Sequence, residues 1–394
     1  MKTLKQTCRA NQNRLITITT ALSLSPLFST SCSKMHPTSL SRTDSVEIPQ
    51  TSVKNQFAIG FCWSYATLAL IESNHKLRSG EDIDLSEEAL GYVHMRQELL
   101  LLAKKYRAGE ISLDNAMEQL ADRGLEGWFV RASNSSGRDD AMELVDIYGV
   151  VPESVWSKKF TTRDQVSSLK KAIAAPFGDL LMSSGSVNNN ALDAVLTVPG
   201  AFDSPPPSHF DFKGKNYSAK SFAQQYLDFS SKDYVLMQAQ TASNVQKLVM
   251  ATKRAMASGY SIPVSFGVSM NNLKNGFFRA NDLEISALEA NPDLSSSVIT
   301  LTGSHAMVAT DFVNRGGREG QLPPDELESE VKKSANELSY FKFKNSWGAH
   351  ASVTENGVDV TSGQDGYYRM DYAYIKAVAA KGRFGVVVPK KFAE

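Results

Sequence analysis

Around residue 62 the chain reads Gln56-Phe57-Ala58-Ile59-Gly60-Phe61-Cys62-Trp63-Ser64-Tyr65-Ala66, with a Gln six residues ahead of a Cys that Trp follows at once. Trp63, Ala66, Leu70 and Ile71 then recur at helical spacing, so a helix is predicted to open at Cys62. A helix start carries partial positive charge and N–H groups without intrahelical partners, which lower a thiol's pKa and favour the thiolate. Cys62 so placed reads as a nucleophile. The competing reading is a small buried hydrophobe, a common fate of Cys.

A thiolate that attacks a carbonyl needs a base, and the base needs something to orient it. Residues 298–312 read as a strand, and within Gly303-Ser304-His305-Ala306-Met307-Val308 the alternation puts His305, Met307 and Ala309 on one face. Residues 339–348 alternate apolar and charged, so Asn345 shares the inward face of Phe341 and Phe343.

Taken in order, the Gln-x5-Cys-Trp, Ser-His-Ala-Met and Asn-Ser-Trp-Gly blocks resemble those of papain-family cysteine peptidases, and more narrowly the bleomycin hydrolase and aminopeptidase C branch. Leu85-Ser86-Glu87-Glu88, Tyr148-Gly149-Val150-Val151-Pro152-Glu153, Ile262-Pro263-Val264-Ser265-Phe266-Gly267, Asp365-Gly366-Tyr367-Tyr368 and Val386-Val387-Val388-Pro389 support the likeness. It implies an α+β, papain-like two-lobed fold, with a helical lobe carrying the nucleophile at a helix N-terminus and an antiparallel, barrel-like β lobe. It further implies a Cys62-His305-Asn345 triad working through an acyl-enzyme. His305 would hold the thiolate as an ion pair and protonate the leaving amine, and Asn345 would accept a hydrogen bond from the ring. Trp347 would cover that bond. Gln56 would donate to the oxyanion beside the backbone N–H of Cys62, with Gly60 allowing the turn between the two donors. Relatives pair an extended substrate with two glycines, and Gly137, next to Arg138 and Asp139, is the candidate here.

The sequence also departs from the resemblance. Ile59 stands where typical relatives carry a disulfide Cys, and only six residues, Pro389 to Glu394, follow the Val386-Val387-Val388 strand, a reach of at most about 20 Å. The cleft-entering arm of bleomycin hydrolases does not fit that length, so an open cleft, endopeptidase action and a monomer are expected. The alternatives are a bleomycin-hydrolase-type aminopeptidase, a thiol acyltransferase or amidase on the same fold, or a peptide-binding protein without turnover. Peptide or protein is the expected partner, and neither cofactor nor metal is called for.

Lys and Arg number 42 and so do Asp and Glu, a balance that gives no reason to expect nucleic acid. Lys2, Lys5, Arg9 and Arg14 followed by an apolar stretch at 15–28 mark residues 1–31 as an export signal. Ser29-Thr30-Ser31-Cys32 resembles a lipobox, so attachment to a membrane through a lipidated Cys32 is expected, on a periplasmic, membrane-anchored or secreted protein. Cys8 leaves with the signal, and with Cys32 lipidated or removed Cys62 is the one remaining thiol. Residues 32–50 read as a tether, 51–240 as the mainly helical lobe and 241–394 as the mainly β lobe.

Helices are predicted over 85–106, 113–123, 139–148 with Met142, Val145 and Ile147 inward, 244–258 capped by Gly259, and 372–381. Strands are predicted over 262–268, 298–312, 340–345, 366–370 and 384–388. Glu87 and Glu88 are expected on a solvated face. The Ser/Asn-rich run 183–190 and the Pro-rich run 204–208 read as loops, and insertions at 176–215 and 315–336 read as mobile by composition.

Overall fold

The computed structural model describes residues 48–394 apart from 58, 123–139, 240–241, 291–298, 318, 320–321, 350–351, 356–357 and 362–363. In chain order the first half supplies α1 (Cys62–Ser79), α2 (Glu87–Arg107), α3 (Leu113–Asp122), α4 (Asp140–Tyr148), α5 (Arg163–Met182), α6 (Asn189–Leu196), the hairpin β1 (His209–Phe212) and β2 (Lys215–Ser218), and the short turn α7 (Ala219–Ser221). The rest supplies β3 (Tyr234–Gln238), α8 (Ala242–Ala257), β4 (Ile262–Val268), β5 (Leu273–Lys274), β6 (Phe277–Phe278), α9 (Asp282–Ala290) and β7 (Gly303–Asn314). It continues with α10 (Pro324–Lys332), β8 (Leu338–Lys344), β9 (Ser352–Glu355), β10 (Val358–Thr361), β11 (Tyr367–Asp371), α11 (Tyr372–Ala380) and β12 (Phe384–Pro389).

No Gly or Pro interrupts α1, and it stops where Gly80 takes φ 73 and donates its N–H to the Lys76 carbonyl at 2.8 Å. Every residue from Cys62 to His75 is buried, as expected of a helix enclosed on all sides. One side belongs to a core in which Phe61, Leu68 and Ile71 meet Tyr92, Met95 and Leu99 of α2 and Leu169, Ile173 and Phe177 of α5. The Phe61 ring lies so close to Gly91 of α2 that a Cβ there would fall 2.2 Å from it. On another side the small residues Cys62, Ala66 and Ala69 pack with Ala306 and Val308 of β7. Small side chains let the helix approach the sheet, and this contact sets the start of α1 against the strand that carries His305.

The sheet runs in the order β3-β12-β4-β7-β8-β11-β6-β5. Its neighbours are antiparallel except β11 and β6, which run parallel, and β3 and β5 are its two edges, so among the described residues it stays open instead of closing as a barrel. Register follows the pleat. Ala309 faces Phe343 and Val308 faces Lys344, so Met307 and Ala309 look into a second core with Val245, Leu248 and Val249 of α8, Ala306 and Val308 look toward α1, and a register shift after Ala309 brings Phe312 into that second core.

Four expectations change. Glu87 and Glu88 are each 1 % exposed instead of solvated, because Lys54, Lys159 and Tyr65 reach them. Ile147 is 52 % exposed, while Ala141, Met142, Leu144 and Val145 form the buried side of α4. The 176–215 segment is built of the end of α5, in which Pro176 is accommodated, then α6 and β1, with Leu192, Val195 and Leu196 buried; α10 likewise occupies part of 315–336. The helical readings at 113–123, 244–258 and 372–381 and the strand at 262–268 match within about two residues, the usual uncertainty of an element's end.

The segment before α1 is tied down by charge. Lys54 Nζ donates to Glu72 Oε1 at 2.8 Å and Glu87 Oε1 at 2.6 Å, and lies 2.6 Å from Asp84. Thr51 Oγ1 donates to Glu72 Oε2 and accepts from Lys344 Nζ at 2.9 Å, which brings β8 into the same network. Burial draws the Lys54 ammonium downward, but Glu87, Glu72 and Asp84 outweigh it and hold the pKa well above the ordinary value. Removing one partner of a buried pair strands the other charge, at a cost of about 3 to 5 kcal/mol. Lys54→Met is therefore expected to lower unfolding free energy by about that amount in urea titrations at neutral pH, and a loss below about 1 kcal/mol would show that the pair acts like a surface one.

Candidate active site

Cys62 is the first residue of α1, 5 % exposed, and a thiol. No side chain caps this helix start, and its first turn holds no acidic residue to offset the partial positive charge. The predicted placement of the sulfur at a helix N-terminus is what the structure shows.

Gln56 is brought to the same place by a strap that crosses from one core to the other. Its N–H donates to the Ser346 carbonyl at 2.8 Å, Asn55 pairs with Trp347, and the Gly348 N–H donates to the Lys54 carbonyl at 3.0 Å. The Gln56 side chain is oriented at both ends, since Oε1 accepts from Ser346 Oγ at 2.6 Å and Nε2 donates to the Ile59 carbonyl at 3.1 Å. An amide nitrogen carries two donors. The second remains for a group near Cys62. The left-handed residue described in the turn between Gln56 and Cys62 is Phe57, with φ 52, whereas the sequence reading had placed the tight turn at Gly60.

His305 and Asn345 are joined by a 2.7 Å hydrogen bond between Nε2 and Oδ1. Oδ1 can only accept, so Nε2 carries the proton and Nδ1 is the ring's free position for acid–base work. Asn345 follows β8 directly, and the Ser346 N–H donates to the same Oδ1 at 2.8 Å, which fixes the amide's orientation. Trp347 stacks on the His305 ring at 4.5 Å between centroids and 27° between planes, and the edge of Phe266 meets the imidazole at 6.1 Å. Both residues of the pair are buried, so water does not compete for the bond. Burial pushes the Tyr368 hydroxyl up to about 12, with Asn345 acting in the opposite direction, while Asn345 Nδ2 and the Tyr368 hydroxyl are both buried without a hydrogen-bond partner.

Near these groups lies a small, partly open pocket lined by Ala66, Ala69, Glu72, Glu87, Val308 and Lys344 among others. Burial pushes the Glu87 carboxyl up with Lys54 pulling against it, and burial brings Lys344 down to about 8. Glu87, Glu88 and Glu153 also approach one another within 4.8 Å, but Lys159 Nζ lies 3.2 Å from Glu88 and 2.9 Å from Glu153 and supplies the cation that such a group attracts.

Of the residues singled out in the sequence, the structure brings His305, Asn345 and Trp347 into contact and places Gln56 and Cys62 at the two ends of one turn beside them. Gly137, with Arg138 and Asp139, lies outside the described residues, as do His36 and His350. His75 lies in the second half of α1, His94 on α2 and His209 on β1. Ser346 was missed. It lies inside the Asn-Ser-Trp-Gly block, but its role requires pairing with Gln56 at a separation of 290 residues, which no local pattern announces.

Residues 1–177 match the model of the Peptidase C1-like family. Over 225 residues, half of the chain, it is 25 % identical to aminopeptidase G of Lactobacillus delbrueckii subsp. lactis, and the match covers 49 % of that protein. Over 40 residues it is 55 % identical to the viral cathepsin of Lymantria dispar multicapsid nuclear polyhedrosis virus, covering 10 % of this chain and 11 % of the other. The chain thus spans about half the length of aminopeptidase G and less of the viral protein. Among solved structures, PepW from Lactobacillus rhamnosis superposes with a TM-score of 0.52 at 18 % identity, over 89 % of this chain and 82 % of the other, a likeness of fold.

Burial lowers the His305 pKa to about 4, with the Asn345 bond acting in the opposite direction. In the unfolded chain an imidazole titrates near 6.5, so between about 6.5 and about 4 the unfolded state binds a proton that the folded state refuses. The resulting contribution to stability is complete above about pH 6.5 and is lost as pH falls through about 4. Urea titrations of the wild type and His305→Gln across that window are expected to diverge on the neutral side and converge on the acid side. Parallel curves would place the imidazole's folded pKa near its unfolded one.

Proposed function

We propose that this chain, whose residues 1–177 match the Peptidase C1-like family, hydrolyses peptide bonds with Cys62 as nucleophile, His305 as acid and base, and Asn345 as the residue that positions His305. The observation that carries this reading is the Nε2–Oδ1 hydrogen bond, which leaves Nδ1 for the sulfur.

In the proposed reaction the Cys62 thiol gives its proton to His305 Nδ1 and the sulfur attacks the scissile carbonyl. The helix start and the Asn345 bond favour the resulting ion pair, and burial opposes it. The carbonyl oxygen of the tetrahedral species lies toward the Cys62 backbone N–H and the remaining donor of Gln56 Nε2. Collapse expels the amine, which takes the proton from His305. The acyl-enzyme is then opened by water that His305 deprotonates, and the thiol is restored.

Internal cleavage is the preferred mode. Arg254 donates from one guanidinium nitrogen to the carbonyls of Phe392 and Glu394, and Phe392 packs edge-on to Tyr260, so residues 390–394 lie with the α8 core. So anchored, this segment is read as standing clear of the cleft. The likeness to aminopeptidase G over half the chain supports a second reading, removal of N-terminal residues. We further propose that residues 1–31 direct export and that Cys32 attaches the protein to a membrane.

Denatured casein incubated with the chain under reducing conditions is expected to show internal cuts, absent in Cys62→Ala and after an epoxide thiol inhibitor. Stepwise N-terminal trimming would establish the second reading, and no cleavage with Cys62 still alkylated would move the assignment to acyl transfer or binding. Gln56→Ala is expected to lower kcat by about 10² to 10³-fold, the usual effect of one oxyanion donor, and an unchanged kcat would remove Gln56 from that role.

A further inference from the structure

Phe57 stands beside the oxyanion donor in a conformation that an aromatic residue rarely takes. Its φ is 52, in the left-handed region where Gly and Asn sit at little cost and a bulky side chain is an outlier. The turn is built, not loose, for the Phe57 N–H donates to Asn55 Oδ1 at 2.8 Å and Asn55 pairs with Trp347. Strain held in place by surrounding structure points to a use for the side chain.

The ring is 44 % exposed, although it could contribute to a core in a chain this size. The other large apolar residues described as exposed, Ile147, Met182 and Leu283, belong to α4, the end of α5 and α9. Phe57 alone among them adjoins the site.

Its side of the cleft follows from the chemistry. The leaving amine departs next to the group that protonates it, and that group is His305, on which Trp347 is stacked. Asn55 pairs with Trp347, so the Asn55–Phe57 turn flanks the residues just beyond the scissile bond, not those of the acyl part. The nearest charge on the strap, Lys54, is engaged with Glu72, Asp84 and Glu87. What the turn offers a substrate is an aromatic face, with half-buried Trp347 beside it.

We propose that Phe57 is a specificity-determining residue, which takes an apolar side chain from the leaving-group segment of an extended peptide. The inference rests on the peptidase reading and adds to it a chemical class at a stated place.

The test uses the full chain and internally quenched peptides that share one sequence up to the scissile bond and carry Leu or Phe, against Asp or Gly, at the first or second position beyond it. The wild type is expected to favour the apolar peptides by about tenfold in kcat/KM, the scale of discrimination that one apolar contact supplies. In Phe57→Gly, whose backbone suits φ 52, the ratio is expected to fall to about twofold or less, and Phe57→Leu is expected to keep most of it. A Phe57→Gly melting temperature at or above that of the wild type separates lost recognition from lost structure. A ratio that Phe57→Gly leaves intact, while cleavage proceeds, overturns the inference alone. A chain that cleaves neither these peptides nor denatured casein overturns the peptidase reading and the inference with it.

Discussion

A single hydrogen bond, from His305 Nε2 to Asn345 Oδ1, decides which imidazole nitrogen carries the proton and which is left open, and much of the fold serves to hold it. It joins β7 to the residue after β8, so it depends on the pairing of Val308 with Lys344 and of Ala309 with Phe343. A shift of one residue would turn Asn345 to the other face of the sheet and point Lys344 into the α8 core. The pleat thus couples two requirements. The odd positions bury Phe341, Phe343 and Asn345 together, and the even position sends Lys344 across to Thr51.

The same register brings in the other half of the chain. Lys344 reaches Thr51, Thr51 reaches Glu72 of α1, and Glu72 reaches Lys54, whose neighbour but one is Gln56. Ser346 closes the loop from the opposite direction, with its N–H on Asn345, its carbonyl on the Gln56 N–H and its hydroxyl on Gln56 Oε1. The Asn345 and Gln56 amides are consequently held by one residue. An apolar contact could bring the two halves together, but it lacks the direction needed to aim two amides. Buried ion pairs contribute little net stability over apolar packing, and their best-attested benefit is a unique arrangement.

Local pattern was enough to read the elements that carry the chemistry. The period of Trp63, Ala66 and Leu70 announced α1, and alternation around His305 and Asn345 announced both strands and the faces they present. The misreadings share a cause. Glu87 and Glu88 look solvated because charge is rarely buried, and only the spatial arrival of Lys54, Lys159 and Tyr65 makes their burial tolerable. Ile147 fits the helical period of α4 yet faces outward, because α4 contributes Ala141, Met142, Leu144 and Val145 and those fill the space available. The segment at 176–215 is rich in Ser, Asn and Pro, and its order comes from Phe177, Leu192, Leu196 and Phe202, too widely spaced to show a period but adjacent once folded. Ser346 belongs with these, since contact across 290 residues leaves no mark on local spacing.

Some of the buried polar groups without a hydrogen-bond partner among the described residues lie near the proposed reacting atoms, and others lie elsewhere, such as Asn74 Oδ1, Gln119 Oε1 and Ser261 Oγ. Asn345 Nδ2, the Tyr368 hydroxyl and Glu87 Oε2 all lie buried without a hydrogen-bond partner. Each such feature costs stability, and packing the same volume with apolar side chains would recover it. Apolar packing, however, could neither fix an imidazole's tautomer nor orient the Gln56 amide. A low-dielectric surround strengthens those interactions as it penalises the groups that make them. The enclosed α1 and the two apolar cores on either side supply the stability against which these local costs are set, which is why the most polar interior of the molecule lies between its most apolar parts.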